Sequence, residues 1–277
     1  ALAFRLCLLC LVSPGSASVA PAEAATATLP PGDLSRGRRF FEATGGCTCH
    51  TNYPDEGEDA PYLAGGRALA TPFGVFYSTN ITPDIQTGIG AWSDADFIRA
   101  MREGLSPEGE HYRLNKSPDA PFPFSKRLPI LGWKWLNFDP QPISTDRARS
   151  AEWNRGNYLV NAAAHCGECH TPRTLTGGLD RALWLAGSRD GPEGELAPNI
   201  TPDQATGIGT WSVVDLVWYL EMGLKPDGDA TQGLMAEVIE HGYSKLPEAE
   251  LRAIAVYLRS IPAIENSVTD QKAESSR

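Results

Sequence analysis

Methionine and histidine are scarce in this chain, with three and five among 277 residues. Few positions are therefore open to chemistry that needs soft or imidazole ligands. Basic residues are too few and too scattered to form a patch: 24 Lys and Arg stand against 34 Asp and Glu, a net charge of -10. With no cluster of cations to release counterions from phosphates, nucleic acid is excluded as a partner. The sequence also has no nicotinamide fingerprint and no serine or metal-hydrolase constellation. Its apolar run from Leu2 to Val12 falls short of the roughly 20 residues a membrane span needs.

That run breaks at Pro14-Gly15 and leads into small residues, with Ser18-Val19-Ala20 or Ala22-Glu23-Ala24 as cleavage sites. Residues 1-25 are therefore expected to be an export signal, the alternative being a retained anchor. Cys10 is a poor lipoprotein site, because Leu8 and Leu9 precede it where small residues are wanted. Hydrophobic content of 42% and charged content of 21% belong to a core-forming protein. Glycine (27) and proline (22) are plentiful, which predicts short helices joined by long ordered loops.

The chain repeats itself. RGRRFFEATGGCTCHT from Arg36 returns as RGNYLVNAAAHCGECHT from Arg155, and NITPDIQTGIGAWSDADF from Asn80 returns as NITPDQATGIGTWSVVDL from Asn199. Both copies reach Gly-Leu (Gly104-Leu105, Gly223-Leu224) and then a Pro-x-Gly turn. Two related units follow. Each is expected to open with a helix and to begin a second one after its Trp. Ser93 with Asp96, and Ser212 with Asp215, have capping-box spacing, and Gly104 and Gly223 supply the stops. The second unit ends in LPEAELRAIAVYLRSIP, whose Leu251, Ile254, Ala255 and Leu258 share an apolar face before Pro262. The first has no such ending. It runs instead into the aromatic, Pro-rich stretch SPDAPFPFSKRLPILGWKWLNFDP. Within it, Phe122 to Phe138 either contacts a membrane surface or partner, or is a linker covering the incomplete unit. The predicted organisation is all-α, with a first domain at 34-115 lacking its final helix, a linker at 116-150 and a second domain at 151-265.

The chemistry sits in the cysteine pairs. Cys7 and Cys10 leave with the signal; Cys47, Cys49, Cys166 and Cys169 remain, each pair followed directly by His. Cys166-Gly167-Glu168-Cys169-His170 has the spacing of c-type haem attachment, in which two thiols reach the two vinyl groups and the His ligates iron. A thioredoxin-like dithiol would need a βαβ setting that this segment lacks. The first motif, Gly46-Cys47-Thr48-Cys49-His50, is one residue short. Either both cysteines attach through a tightened turn, or Cys49 alone attaches with His50 as ligand, or this unit has lost its haem. A Met as sixth ligand raises the potential of a haem. Met235, between Gly233 and the final helix, is assigned to the second haem; Met101 and Met222 read as structural. For the first haem His111, Lys116, Lys126 or water stay open. His165, His241, Trp92 and Trp211 read as ordinary polar or core residues, and Asn80 and Asn199 as turn-setting.

On the RG-(aromatic)-CxxCHT pattern, TPFGVFYSTNITPD at Thr71 to Asp84, the paired TGIGxWS segments and GLMAEVIEHGYSKLPEAELRAIAVYL, the chain resembles the di- and multi-haem cytochrome c subunits of bacterial periplasmic dehydrogenases. That resemblance implies small helical domains, covalent haem c and His/Met ligation. It implies electron transfer from a dehydrogenase catalytic subunit toward a quinone, an oxidase or a small cytochrome in the periplasm. The matching positions are Cys47, Cys49 and His50, and Cys166, Cys169, His170 and Met235. Two departures, the shortened motif and the missing Met-bearing end of the first unit, keep two further readings open. One is a dihaem peroxidase-type enzyme with an open first site; the other is an assembly subunit with a degenerate first domain.

Overall fold

The computed structural model describes residues 32–71, 74–109, 128–139 and 141–268. The expected export signal, His111, Lys116 and Lys126 lie outside these residues. From Leu34 onward the described residues form one compact unit. Its described elements are mostly short helices: α1 (Leu34–Ala43), α2 (Tyr53–Glu56), α3 (Asp94–Glu103), α4 (Leu128–Asn137), α5 (Ala151–Tyr158), α6 (Gly167–His170), α7 (Val213–Met222), α8 (Gly233–His241) and α9 (Glu248–Leu258). The departure from an all-α chain is a small antiparallel hairpin of β1 (Ala68–Thr71) and β2 (Gly74–Tyr77), with Ala68 opposite Tyr77.

Both expected helices after the tryptophans form, for the same local reason. Ser93 and Ser212 each accept a hydrogen bond from the backbone N–H three residues on, while Asp96 and Asp215 reach back to the cap N–H. Gly104 (φ 68°) and Gly223 (φ 71°) end the helices in the left-handed conformation. The Asn-x-Thr-Pro-Asp loops are also built alike. Asn80 and Asn199 accept from the N–H of Thr82 and Thr201, and Asp84 and Asp203 from those of Thr87 and Thr206.

The core lies in the second half of the chain. On α9, Leu251, Ile254, Ala255 and Leu258 are all buried, packing with Leu159 and Val160 beyond α5 and with Leu216 and Leu220 of α7. Ion pairs lock α5 to α9: Arg155 holds Glu250 through Nε at 2.6 Å and Nη2 at 3.1 Å, and Arg252 reaches Glu152 at 2.9 Å. In the first repeat the same helix face is far more exposed among the described residues. Phe97 and Met101 of α3 occupy the positions of Leu216 and Leu220, yet they are 47% and 64% exposed against 3% and 6%. The helix next in sequence among the described residues, α4, falls inside the expected linker and leaves Leu131, Trp135 and Leu136 exposed. Among the described residues no helix is long and apolar enough to cross a membrane.

Candidate haem-binding cavity

The two cysteine motifs open onto one cavity of ≈ 2160 Å³. Pockets for single small ligands run to about 1,000 Å³, so this one has room for two large planar groups. Cys47, Cys49 and His50 line it from one repeat, and Cys166, Cys169 and His170 from the other.

The second motif is delivered by a change of helical pitch. α5 continues into a π turn at Leu159–Ala163, where Ala164 N–H reaches the Leu159 carbonyl and Cys166 N–H reaches that of Val160. Cys166 then caps α6, which carries Cys169 and ends on His170. The first motif is a 3₁₀ turn at Gly45–His50 that must fit one residue fewer. It does so with left-handed backbone at Gly46 (φ 66°) and at Cys47 (φ 53°). For a residue with a Cβ, that conformation costs about 1–2 kcal/mol. Position 46 itself is closed to a cysteine, because a Cβ there would lie 2.5 Å from the His241 carbonyl oxygen. Cys47, held at 3.2 Å from Thr44 Oγ1, therefore stands as the motif's first thiol.

The histidines match closely. His50 Nδ1 lies 2.7 Å from the Thr79 carbonyl oxygen, and His170 Nδ1 lies 2.7 Å from that of Pro198. A carbonyl can only accept, so Nδ1 is the protonated nitrogen and Nε2 keeps its lone pair. Burial pushes both imidazoles below the ordinary His pKa, outweighing the opposing effect of these bonds, and leaves them neutral at pH 7. A neutral ring oriented through Nδ1 is what iron ligation by Nε2 requires. The Asx loops at Asn80 and Asn199 set the two carbonyls in place. Thr51 and Thr171 then receive the N–H of Leu63 and Leu185, both at 3.0 Å, so each repeat frames its His alike.

The four described cysteines are free thiols. Burial raises all of them, Cys166 to about 12 and Cys169 to about 11. A dithiol redox centre needs the opposite shift. Protonated thiols beside neutral histidines on an apolar cavity fit covalent haem.

Met235 lines the cavity, on the first turn of α8 rather than in the expected loop. Met222 is 59% exposed, and Met101 stands at the cavity's uncovered margin. Trp92 and Trp211 both line the cavity, and Trp211 also packs on the core. His241 stacks on Tyr53, with ring centroids 4.9 Å apart.

Sequence reasoning passed over a cluster beside the first motif. Arg67 is 1% exposed. It grips Glu193 through Nε (2.6 Å) and Nη2 (3.0 Å), and Glu237 of α8 through Nη1 and Nη2. Burial works against its charge, but the two carboxylates more than offset that and hold its pKa above the ordinary value. Its partners are far away in sequence and outside the repeated segments, so nothing local announces them.

No protein-family model matches the chain. A dihaem cytochrome c-type protein of Cereibacter sphaeroides is 40% identical over 266 residues, covering 84% of this chain and 88% of that protein. The fructose dehydrogenase cytochrome subunit of Gluconobacter japonicus is 38% identical over 276 residues, 88% of this chain and 55% of the subunit. The cytochrome c subunit of the quinone alcohol dehydrogenase of Gluconobacter oxydans is 33% identical over 270 residues, 83% of this chain and 55% of the subunit. The chain thus spans about half the length of those dehydrogenase subunits. Matched along most of its length, and along most of the Cereibacter protein, the chain belongs to the dihaem c-type cytochrome family.

Proposed function

We propose that this chain is an exported electron carrier with two covalent haems in the shared cavity, one per tandem cytochrome c-like unit (34-115 and 151-265). The observation that carries it is the matched pair of histidines, each half-buried at the cavity wall, neutral and fixed through Nδ1 by a backbone carbonyl at 2.7 Å. Cys166 and Cys169 hold one haem, and His170 and Met235 ligate it. Cys47 and Cys49, which both border the cavity, hold the other, with His50 as its ligand. Bound haem supplies one-electron chemistry, its iron cycling between ferrous and ferric. The protein's share is to orient each imidazole, to exclude water with the surrounding apolar side chains, and to keep both sites in one cavity within electron-transfer reach. The names of the relatives support a dehydrogenase catalytic subunit as donor, and one of them names a quinone; we place the acceptor, a quinone, an oxidase or a small cytochrome, in the periplasm.

An anaerobic reductive titration tests this. Two electron equivalents per chain, taken up without turnover of any substrate, are expected; uptake of none contradicts it. The bare face of α3 favours a second reading, a peroxidase-type enzyme with an open coordination position at the first haem. Bleaching or high-valent absorption on adding peroxide would support that reading over the carrier.

A further inference from the structure

The helix that carries Met235 is held from both sides by groups outside it. Gln232, in the cap position of α8, makes no side-chain cap. The Glu195 carboxylate substitutes for it, accepting the Leu234 N–H at 3.0 Å, one residue before Met235. Two residues after Met235, Glu237 is held by Arg67. Glu193 and Glu195 belong to one short turn of the second repeat, and Glu193 has left-handed backbone (φ 62°) that a side chain rarely adopts. Arg67 leads into β1 of the first repeat, where its own N–H is anchored on Ser78 Oγ at 3.1 Å.

We propose that Arg67, a residue of the first repeat, is a positioning residue for the sixth ligand of the second haem. One guanidinium, with its side chain 2% exposed, joins the Glu193 turn to α8, so the turn of helix presenting the Met235 sulfur is fixed by the first repeat. The inference rests on the assignment of Met235 as that ligand. Arginine suits the task because one planar fork serves two carboxylates at once; a lysine ammonium cannot replace both pairs. Removing the fork leaves Glu193 and Glu237, half-buried at 20% and 25% exposure, without the cation they share, and their like charges push α8 away from the turn. The second haem's ligation then depends on the first repeat even where the first haem plays no part in it.

The test compares holoprotein variants by the sulfur-to-iron charge-transfer band of the ferric state, the midpoint potential of each haem and the haem content per chain. Met235→Leu is expected to abolish the band. Arg67→Met is expected to lose most of the band and to lower the potential of the second haem while both haems stay attached; Arg67→Lys is expected to recover part of each. If Met235→Leu abolishes the band but Arg67→Met keeps both band and potential at wild-type values, the positioning role is overturned and the ligand assignment stands. A band that survives Met235→Leu removes the ligand assignment and this inference with it. If Arg67→Met yields no folded holoprotein, Glu237→Gln and Arg67→Lys decide: undiminished bands in both overturn the inference, and weakened bands with intact haem content support it.

Discussion

Gly37 and Gly156 occupy the same place in the two repeats, each following the Arg of an Arg-Gly pair in the opening helix. Their surroundings differ completely. A Cβ at Gly156 would press into the Ala253 carbonyl oxygen of α9 and lie 2.7 Å from Tyr257 Cβ. Ordinary carbon contacts are about 3.5–4.0 Å, so α5 and α9 would have to part by roughly 1 Å along the seam that builds the core. Overpacking of this kind costs about 1–3 kcal/mol, and here backbone opposes backbone, so Gly156→Ala should fall at the upper end, near ~3 kcal/mol. For a chain of this size, that lowers Tm by about 6–12 °C. A Cβ at Gly37 meets nothing within 4 Å. Gly37→Ala should therefore show only the helix-propensity gain, about 0.5–1 kcal/mol, and raise Tm by ~1–4 °C. Thermal unfolding of both holoprotein variants, followed by far-ultraviolet circular dichroism at one scan rate, reads the pair. Equal losses at the two sites would refute the argument that no described residue packs on Gly37, and a neutral Gly156→Ala would refute the tight α5–α9 crossing.

Two further perturbations probe the site and its supports. Gly46→Ala places a Cβ 2.5 Å from the His241 carbonyl at a left-handed position. It should cost about 2 kcal/mol and alter the absorption of the first haem while leaving the second unchanged, as difference spectra would show. Hydrogen bonds from the Ser212 backbone and hydroxyl hold the Asp215 carboxyl below the usual carboxylate range. Its contribution is therefore present above the unfolded-state pKa and lost as pH falls through the lower folded value. The stability gap between wild type and Asp215→Asn, measured by denaturant titration, should close below about pH 4; a gap that widens with acid would contradict the capping assignment.

Features carried by near neighbours were legible in the sequence. The serine–aspartate caps, the stops at Gly104 and Gly223 and the apolar face of α9 depend on residues within a few positions of one another, and all form as read. What escaped depends on distant partners. Met235, beyond Gly233 and before the last helix, reads as loop, because the capping carboxylate of α8, Glu195, comes from another turn. Arg67 carries no signal in the sequence, because Glu193 and Glu237 are brought to it only by the fold. The left-handed turn at Cys47 could be read only as a shortened spacing; its resolution required the backbone.

The central claim is that two haems are bound covalently, one at each motif, the shortened first motif included. Alkaline pyridine haemochrome absorbance per mole of chain, paired with intact mass under denaturing conditions, measures this directly. Two haems retained on every chain are expected. A value of one, with the first motif unmodified, would contradict the site at Cys47, Cys49 and His50, and a value of zero would contradict the account as a whole.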